Sequence, residues 1–210
     1  MNEFLLSELK KKSDNTDLIV GLIFQDLSLI RDLIYGISSA EAAVKFKCAK
    51  VLREVSKTKP ELLYPYFDFF CTLLDNPNNI IKWNAIDILG NLVEIDTERK
   101  FEQIFDKYYA LLNEGSLITA GHVVDNSGNI AKVKHKLRDQ ITYHLLNVQK
   151  IPLPTEECRS ILGGKVVQAY DQYIDHIKSN KDVIAFIKKQ TKSNRTATRK
   201  KAEKLLAKVQ

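Results

Sequence analysis

The sequence has few of the residues that form tight turns, with 8 glycines and 5 prolines among 210 residues. That scarcity disfavours an all-β sandwich or barrel, which needs many such turns. The three cysteines are too few and of the wrong parity for a disulfide scaffold, so we expect a reducing, cytoplasmic location. No apolar run approaches the roughly 18 residues that a membrane span needs, and no signal-peptide pattern opens the chain.

Charge is distributed unevenly along the chain. The net charge is +6, from 32 basic and 26 acidic residues. Residues 1–100 hold 13 basic and 15 acidic residues, a net of −2, whereas residues 101–210 hold 19 and 11, a net of +8. A basic C-terminal segment is either a solvated end or a surface that attracts an acidic partner, nucleic acid or an anionic membrane. The candidate basic patch consists of Lys188, Lys189, Lys192, Arg195, Arg199, Lys200, Lys204 and Lys208.

A helical pattern recurs five times, beginning at residues 44, 81, 116, 158 and 198. The spacings are 37, 35, 42 and 40 residues, which is the range of two-helix solenoid repeats. In each clear copy the apolar residues fall on one stripe of a helix. A small residue recurs on that stripe and predicts close approach of a neighbouring helix: Cys48, Ala85, Ala120 and Ala202.

Residues 60–92 carry the most specific pattern. A first helix with prolines at 60 and 65 is followed by an Asp-Asn-Pro-Asn-Asn turn at 75–79, in which Asn78 or Asn79 can cap the next helix. This segment resembles a HEAT repeat, and its sequence is also similar to that of adaptin-type repeats. The resemblance implies an all-α fold, a right-handed α–α superhelix of about five helical pairs in a single domain over 1–210. Residues 1–39 would form capping helices, 40–178 the central repeats, and 179–210 a basic capping repeat.

The remaining helices follow from caps and turn residues. We expect helices at 2–12, 17–36, 96–113, 130–149 and 182–192, about ten in the whole chain, with Thr155 as a further cap. The second helix of the third repeat is predicted to stop at the Asn-Ser-Gly-Asn sequence of 126–129. Such a short helix would either bend the solenoid or leave an exposed loop that touches a ligand.

No catalytic or metal-binding motif is evident. No two of the four histidines are four residues apart, and the sequence has no Cys-x-x-Cys pair, phosphate loop or nucleophile elbow. The carboxylates are scattered, without a couple suited to acid–base chemistry. We therefore predict neither an enzyme nor a cofactor or metal site.

The face of the repeated helices opposite the apolar stripe is the candidate binding surface. In a HEAT solenoid the second helices line the concave side, and this face is formed by the third, seventh and eleventh positions of each copy. Its large apolar members, Phe46, Trp83 and Ile118, either pack against adjacent repeats or anchor a partner in a groove. The candidate concave residues are Phe46, Lys50, Trp83, Asp87, Asn91, His122, Asn126 and Gln168.

Three functions remain open on this evidence. The favoured one is a monomeric, non-enzymatic scaffold that binds a protein or peptide on its concave face, with the basic end steering an acidic partner. The alternative is a nucleic-acid binder similar to the HEAT-like DNA-alkylation-repair glycosylases. In this chain, however, the basic charge lies at one end, whereas a DNA-wrapping protein needs basic charge along every inner helix. The third is an enzyme or accessory subunit such as a lyase-like HEAT protein, for which no catalytic constellation is found.

Overall fold

The computed structural model describes residues 2–209. Over that range the chain forms thirteen α-helices, several short 3₁₀ turns and no strand. The helices divide into two compact units, residues 1–100 and 101–210. No helix among these residues combines the length and hydrophobicity that crossing a bilayer requires.

The first unit contains six helices. They are α1 (Glu3–Lys10), α2 (Thr16–Gln25), α3 (Leu29–Gly36), α4 (Ala42–Thr58), α5 (Phe67–Thr72) and α6 (Asn79–Leu92).

The second unit contains the other seven, the first of which begins at the last residue of the first unit. They are α7 (Lys100–Ala110), α8 (Leu117–Val133), α9 (Arg138–Leu146), α10 (Glu156–Asp171), α11 (Ile174–Ile177), α12 (Lys181–Gln190) and α13 (Thr196–Leu206).

The five copies of the sequence pattern lie in α4, α6, α8, α10 and α13, which we call the inner helices. In the first unit α4 packs on α6, and in the second α10 packs on both α8 and α13. Consecutive copies in each unit are therefore neighbours in space, as the repeat predicts. Within each unit, other helices pack on the inner ones, as α5 does on α6 and α12 on α13.

The apolar stripe of α4 shows why the inner helices form. Val44, Cys48, Val51, Leu52 and Val55 are all fully buried. Burial raises the pKa of the Cys48 thiol to about 12, so this cysteine is an inert core residue.

The residues at the predicted small positions are all buried. Ala85, Ala120 and Ala202 are, like Cys48, inaccessible to solvent. A small side chain at these points lets the facing helix approach closely.

Several predicted helix boundaries are confirmed. Asn78 caps α6, because its side-chain oxygen accepts hydrogen bonds from the amides of Ile80 and Ile81. Thr155 caps α10 in the same way. Gly115 ends its helical segment in the left-handed region, with φ at 76°. Pro65 lies in a 3₁₀ turn, and the regular helix starts after it at Phe67.

Other predicted boundaries are wrong. The expected helix over 17–36 is two helices, because the chain turns where the Asp26 carboxylate accepts hydrogen bonds from the amide and hydroxyl of Ser28. The helix expected to open at Asp96 begins at Lys100. The Asp96 carboxylate nevertheless accepts a hydrogen bond from the Lys100 amide. The division of 17–36 adds one helix, and the short α11 adds another that was not predicted, so the described residues hold thirteen helices where about ten were expected.

The third repeat differs most from expectation. Its inner helix does not stop at 126–129 but continues through that segment to Val133. The chain then leaves the helix at Lys134, which divides the expected 130–149 helix. Lys134 is nearly buried and lies 3.3 Å from the Glu102 carboxylate, which fixes the break. Neither a short helix nor an exposed loop is present there.

Candidate partner-binding surface

The inner-helix face of α4 is a mixed apolar and charged row. Phe46 and Lys50 are both partly accessible to solvent. The Lys50 ammonium lies 2.8 Å from the carboxylate of Asp14, in the loop between α1 and α2. That hydrogen bond, with a second from the Thr16 hydroxyl, lowers the pKa of Asp14 to about 2. Lys50 is thus held in place by the N-terminal segment.

On α6 the corresponding row is Trp83, Asp87 and Asn91, all partly accessible. The Asp87 carboxylate lies 3.7 Å from the Arg53 guanidinium of α4. The Asn91 amide donates a hydrogen bond of 2.8 Å to the Ser56 hydroxyl, also on α4. Two of the three predicted residues therefore connect α6 to the previous inner helix.

On α8 the row begins with Ile118, whose exposed fraction is 52%. His122 follows it, and the Asn126 amide donates to the His122 carbonyl oxygen at 2.8 Å. The next residue on this face, Asp125, pairs with Lys165 of α10. This pair was not anticipated from the sequence.

On α10 the predicted Gln168 is exposed, and its side-chain oxygen accepts a hydrogen bond of 2.8 Å from Lys201 of α13. Asp171, one turn further, pairs with Lys208. A buried hydrogen bond of 2.7 Å runs from the Thr198 hydroxyl to the Ser160 carbonyl. These contacts fix the stacking of α13 on α10.

Three long-range ion pairs share a sequence separation of about one repeat. Asp14 and Lys50 are 36 residues apart, Asp125 and Lys165 are 40, and Asp171 and Lys208 are 37. A search for opposite charges one repeat apart could have found them. A search for charge pairs within single helices could not.

The basic patch separates into paired and unpaired cations. Arg195 pairs with Glu157 and Lys208 with Asp171, while Lys189 donates to the Gln149 amide and Arg199 to the Ser193 carbonyl. In the described part of the chain the other four have no ion pair or hydrogen bond, and all are exposed: Lys188, Lys192, Lys200 and Lys204.

The titratable groups in the core of the second unit are structural. The Tyr109 hydroxyl donates to Ser127 at 3.1 Å, and burial raises the pKa of Tyr109. Tyr173 makes a similar contact with Thr142, and its pKa is raised for the same reason. Across residues 2–209, no group of three His, Cys, Asp or Glu side chains is placed to hold a metal ion.

Comparison with known proteins gives a likeness of structure alone. No protein-family model matches the chain, and no curated protein sequence matches it. A designed armadillo repeat protein superposes with a TM-score of 0.64 at 13% identity, covering 97% of this chain and 98% of that one. An engineered protein superposes with a TM-score of 0.56 at 14% identity, covering 90% and 82%. The chain is therefore an all-α helical-repeat protein with an armadillo-like α–α superhelical fold.

Proposed function

We propose that the chain is a non-enzymatic, monomeric scaffold that binds an extended peptide or a helix of a partner protein on its inner-helix face, the predicted concave side. One observation carries the proposal. In the first unit two successive copies hold a large apolar side chain that solvent reaches at the same repeat position, Phe46 and Trp83. In the second unit, taken by itself, Ile118 holds that position and is exposed. Complete packing against neighbouring repeats would bury all three. Side chains of this kind are the usual anchors of a protein interface.

The polar groups around these anchors support the same function. Lys50, Asp87 and Asn91 are each held by a partner on a neighbouring element. A surface whose side chains are already ordered loses less conformational entropy when a ligand binds. These three residues therefore offer ordered polar contacts beside the accessible apolar side chains.

The charge of the second unit favours an acidic partner. Residues 101–210 carry a net charge of +8, and four exposed lysines of the basic patch have no protein partner in the described residues. Such a surface accelerates encounter with acidic partners. Nucleic-acid binding has less support, because half of the patch cations already contact protein groups.

Selection from a library of displayed random peptides tests the proposal. Peptides that bind the wild-type chain should bind the Trp83→Ala variant about tenfold or more weakly, because Trp83 supplies an apolar anchor. The matched control is Tyr35→Ala, which removes an aromatic side chain with 76% exposure from α3 of the same unit. Equal binding by both variants, or equal loss in both, would contradict an inner-face site.

A further inference from the structure

A cleft of about 370 Å³ opens in the second unit beside the basic patch. Its walls are the first turn of α10, the last turn of α12 and the loop that leads into α13. We call it the α10–α12 cleft. It is large enough for a few side chains of a ligand but too small for a folded element.

The cleft is positively charged. Arg159, Lys189 and Lys192 line it, against the single carboxylate of Glu156. Glu156 accepts a hydrogen bond from Arg159, and Lys189 contacts only the neutral amide of Gln149. Lys192 is exposed and unpaired within the described residues. A net positive charge therefore remains available to a ligand.

A buried amide forms part of the same wall. Gln190 has an exposed fraction of only 6%, yet within residues 2–209 its side chain has no hydrogen-bond partner. Its side chain lies directly against Gly163 of α10. A Cβ built on that glycine would be only 2.6 Å from the side-chain oxygen of Gln190. Because Gln190 also lines the cleft, its amide is available to form a hydrogen bond with a ligand there.

The hydroxyl of Ser160 repeats this pattern. Ser160 is buried at the edge of the cleft, and no group in the described residues pairs with its hydroxyl. Two buried neutral donors thus lie beside cations that are not fully neutralised. Oxygen anions accept from all of these groups at once, whereas a cation or an apolar group accepts from none.

We propose that the α10–α12 cleft binds the anionic side chain of a partner peptide, either a carboxylate or a phosphate ester. The Gln190 amide and the Ser160 hydroxyl donate to its oxygens from the wall, and Lys192 and Lys189, which have no carboxylate partner, supply the charge. The inference rests on the proposed function, in that it takes the ligand to be part of a peptide.

The test measures binding of three short fluorescent peptides to the full chain. One carries a run of glutamates, the second phosphoserines at the same positions, and the third glutamines. We expect the glutamine peptide to bind at least about tenfold more weakly than the better of the other two, because it offers no charge. The stronger of the two anionic peptides identifies whether the source is a carboxylate or a phosphate ester.

Three variants locate the binding. Lys192→Gln removes the unpaired cation of the cleft, and Gln190→Leu removes the buried amide while leaving an apolar residue of similar size. Each should weaken binding about tenfold or more, the loss expected for one hydrogen bond to a charged ligand. The matched control is Lys204→Gln, which removes an exposed, unpaired cation of the patch that does not line the cleft. It should change binding less than twofold.

Two results would overturn the inference. Equal losses from Lys192→Gln and Lys204→Gln, with none from Gln190→Leu, would show a diffuse basic surface. Duplex DNA that displaces the peptides and loses affinity in all three variants would show a nucleic-acid surface instead. The inference about the cleft can fail while the proposed function holds. That would be the case if the library peptides required Trp83 but neither Lys192 nor Gln190.

Discussion

Gly128 of α8 lies directly against Gln172, at the end of the next inner helix. A Cβ built on Gly128 would be 2.5 Å from the Gln172 amide carbon and 2.9 Å from the Ala169 carbonyl oxygen. Both distances are shorter than real Cβ contacts, and the second involves backbone. The glycine is therefore required by stacking between repeats, and not by a turn.

Gly128→Ala should lower the free energy of unfolding by about 1–3 kcal/mol, the usual cost of overpacking. The matched control is Gly21→Ala at an exposed position of α2, where nothing lies within 4 Å of the added Cβ. That change should stabilise the chain by up to about 1 kcal/mol through helix propensity. Urea unfolding followed by circular dichroism measures both. Stabilisation in both variants would contradict the close approach.

Ala85→Leu tests the small position of the repeat in the same way. Ala85 is completely buried on α6, so three additional heavy atoms should cost about 1–3 kcal/mol. Ala43→Leu, at an exposed position near the start of α4, should leave the unfolding midpoint nearly unchanged. An unchanged midpoint in Ala85→Leu would show that α6 has room at this point.

The hydrogen bond between Tyr64 and Asp96 orders the chain before α7. It is 2.6 Å long, the carboxylate is buried, and burial together with this bond raises the pKa of Tyr64. Tyr64→Phe should destabilise the chain by about 1–3 kcal/mol, because a buried carboxylate loses a donor. Tyr66→Phe is the control, since no group among residues 2–209 forms a hydrogen bond with that hydroxyl. Equal midpoints for the two variants would refute this role of Asp96.

His144 should make the stability of the second unit depend on pH. It stacks on Tyr109 with ring centroids 4.9 Å apart, and burial lowers its pKa despite the opposing effect of Asp106. The unfolded chain then takes up a proton more readily than the folded chain. Stability is complete above the unfolded pKa of about 6.5 and declines as the pH falls below it.

Urea midpoints measured between about pH 7.5 and 5 show that decline if it occurs. The His144→Phe variant should lose the part of the slope that His144 contributes, because phenylalanine keeps the stacking on Tyr109 without titrating. An NMR titration of the His144 ring that gives a pKa at or above about 6.5 would contradict the prediction.

The inner helices could be predicted from the sequence because their periodicity and their burial have the same cause. The apolar stripe of α4, from Val44 to Val55, is also its contact with neighbouring helices. The small residues and the caps at Asn78 and Thr155 are local as well, so they were identified correctly.

The extent of α8 could not be predicted because a tertiary contact determines it. Residues 126–129 have the composition of a turn, yet Ser127 bonds the Val123 carbonyl and receives a hydrogen bond from Tyr109. Because Gly128 has no side chain, α10 can pack closely against α8 at this point. Local propensity favoured a break, and packing between repeats prevented it.

The candidate surface was predictable only in part. The row of third, seventh and eleventh positions is set by helix geometry, so its members could be named. Its partners, such as Lys165 for Asp125 or Ser56 for Asn91, depend on how one repeat is aligned with the next. The α10–α12 cleft depends on that alignment too, and no local pattern indicates it.

The fluorescence of Trp83 tests the central claim most directly. Trp83 is the single tryptophan of the chain and is partly accessible on the inner-helix face, so its emission reports that face alone. Titration with a library-selected peptide should shift the emission to shorter wavelength and saturate at the dissociation constant given by the peptide's own label. A peptide that binds tightly by its label yet leaves the Trp83 emission unchanged would contradict partner binding at this face.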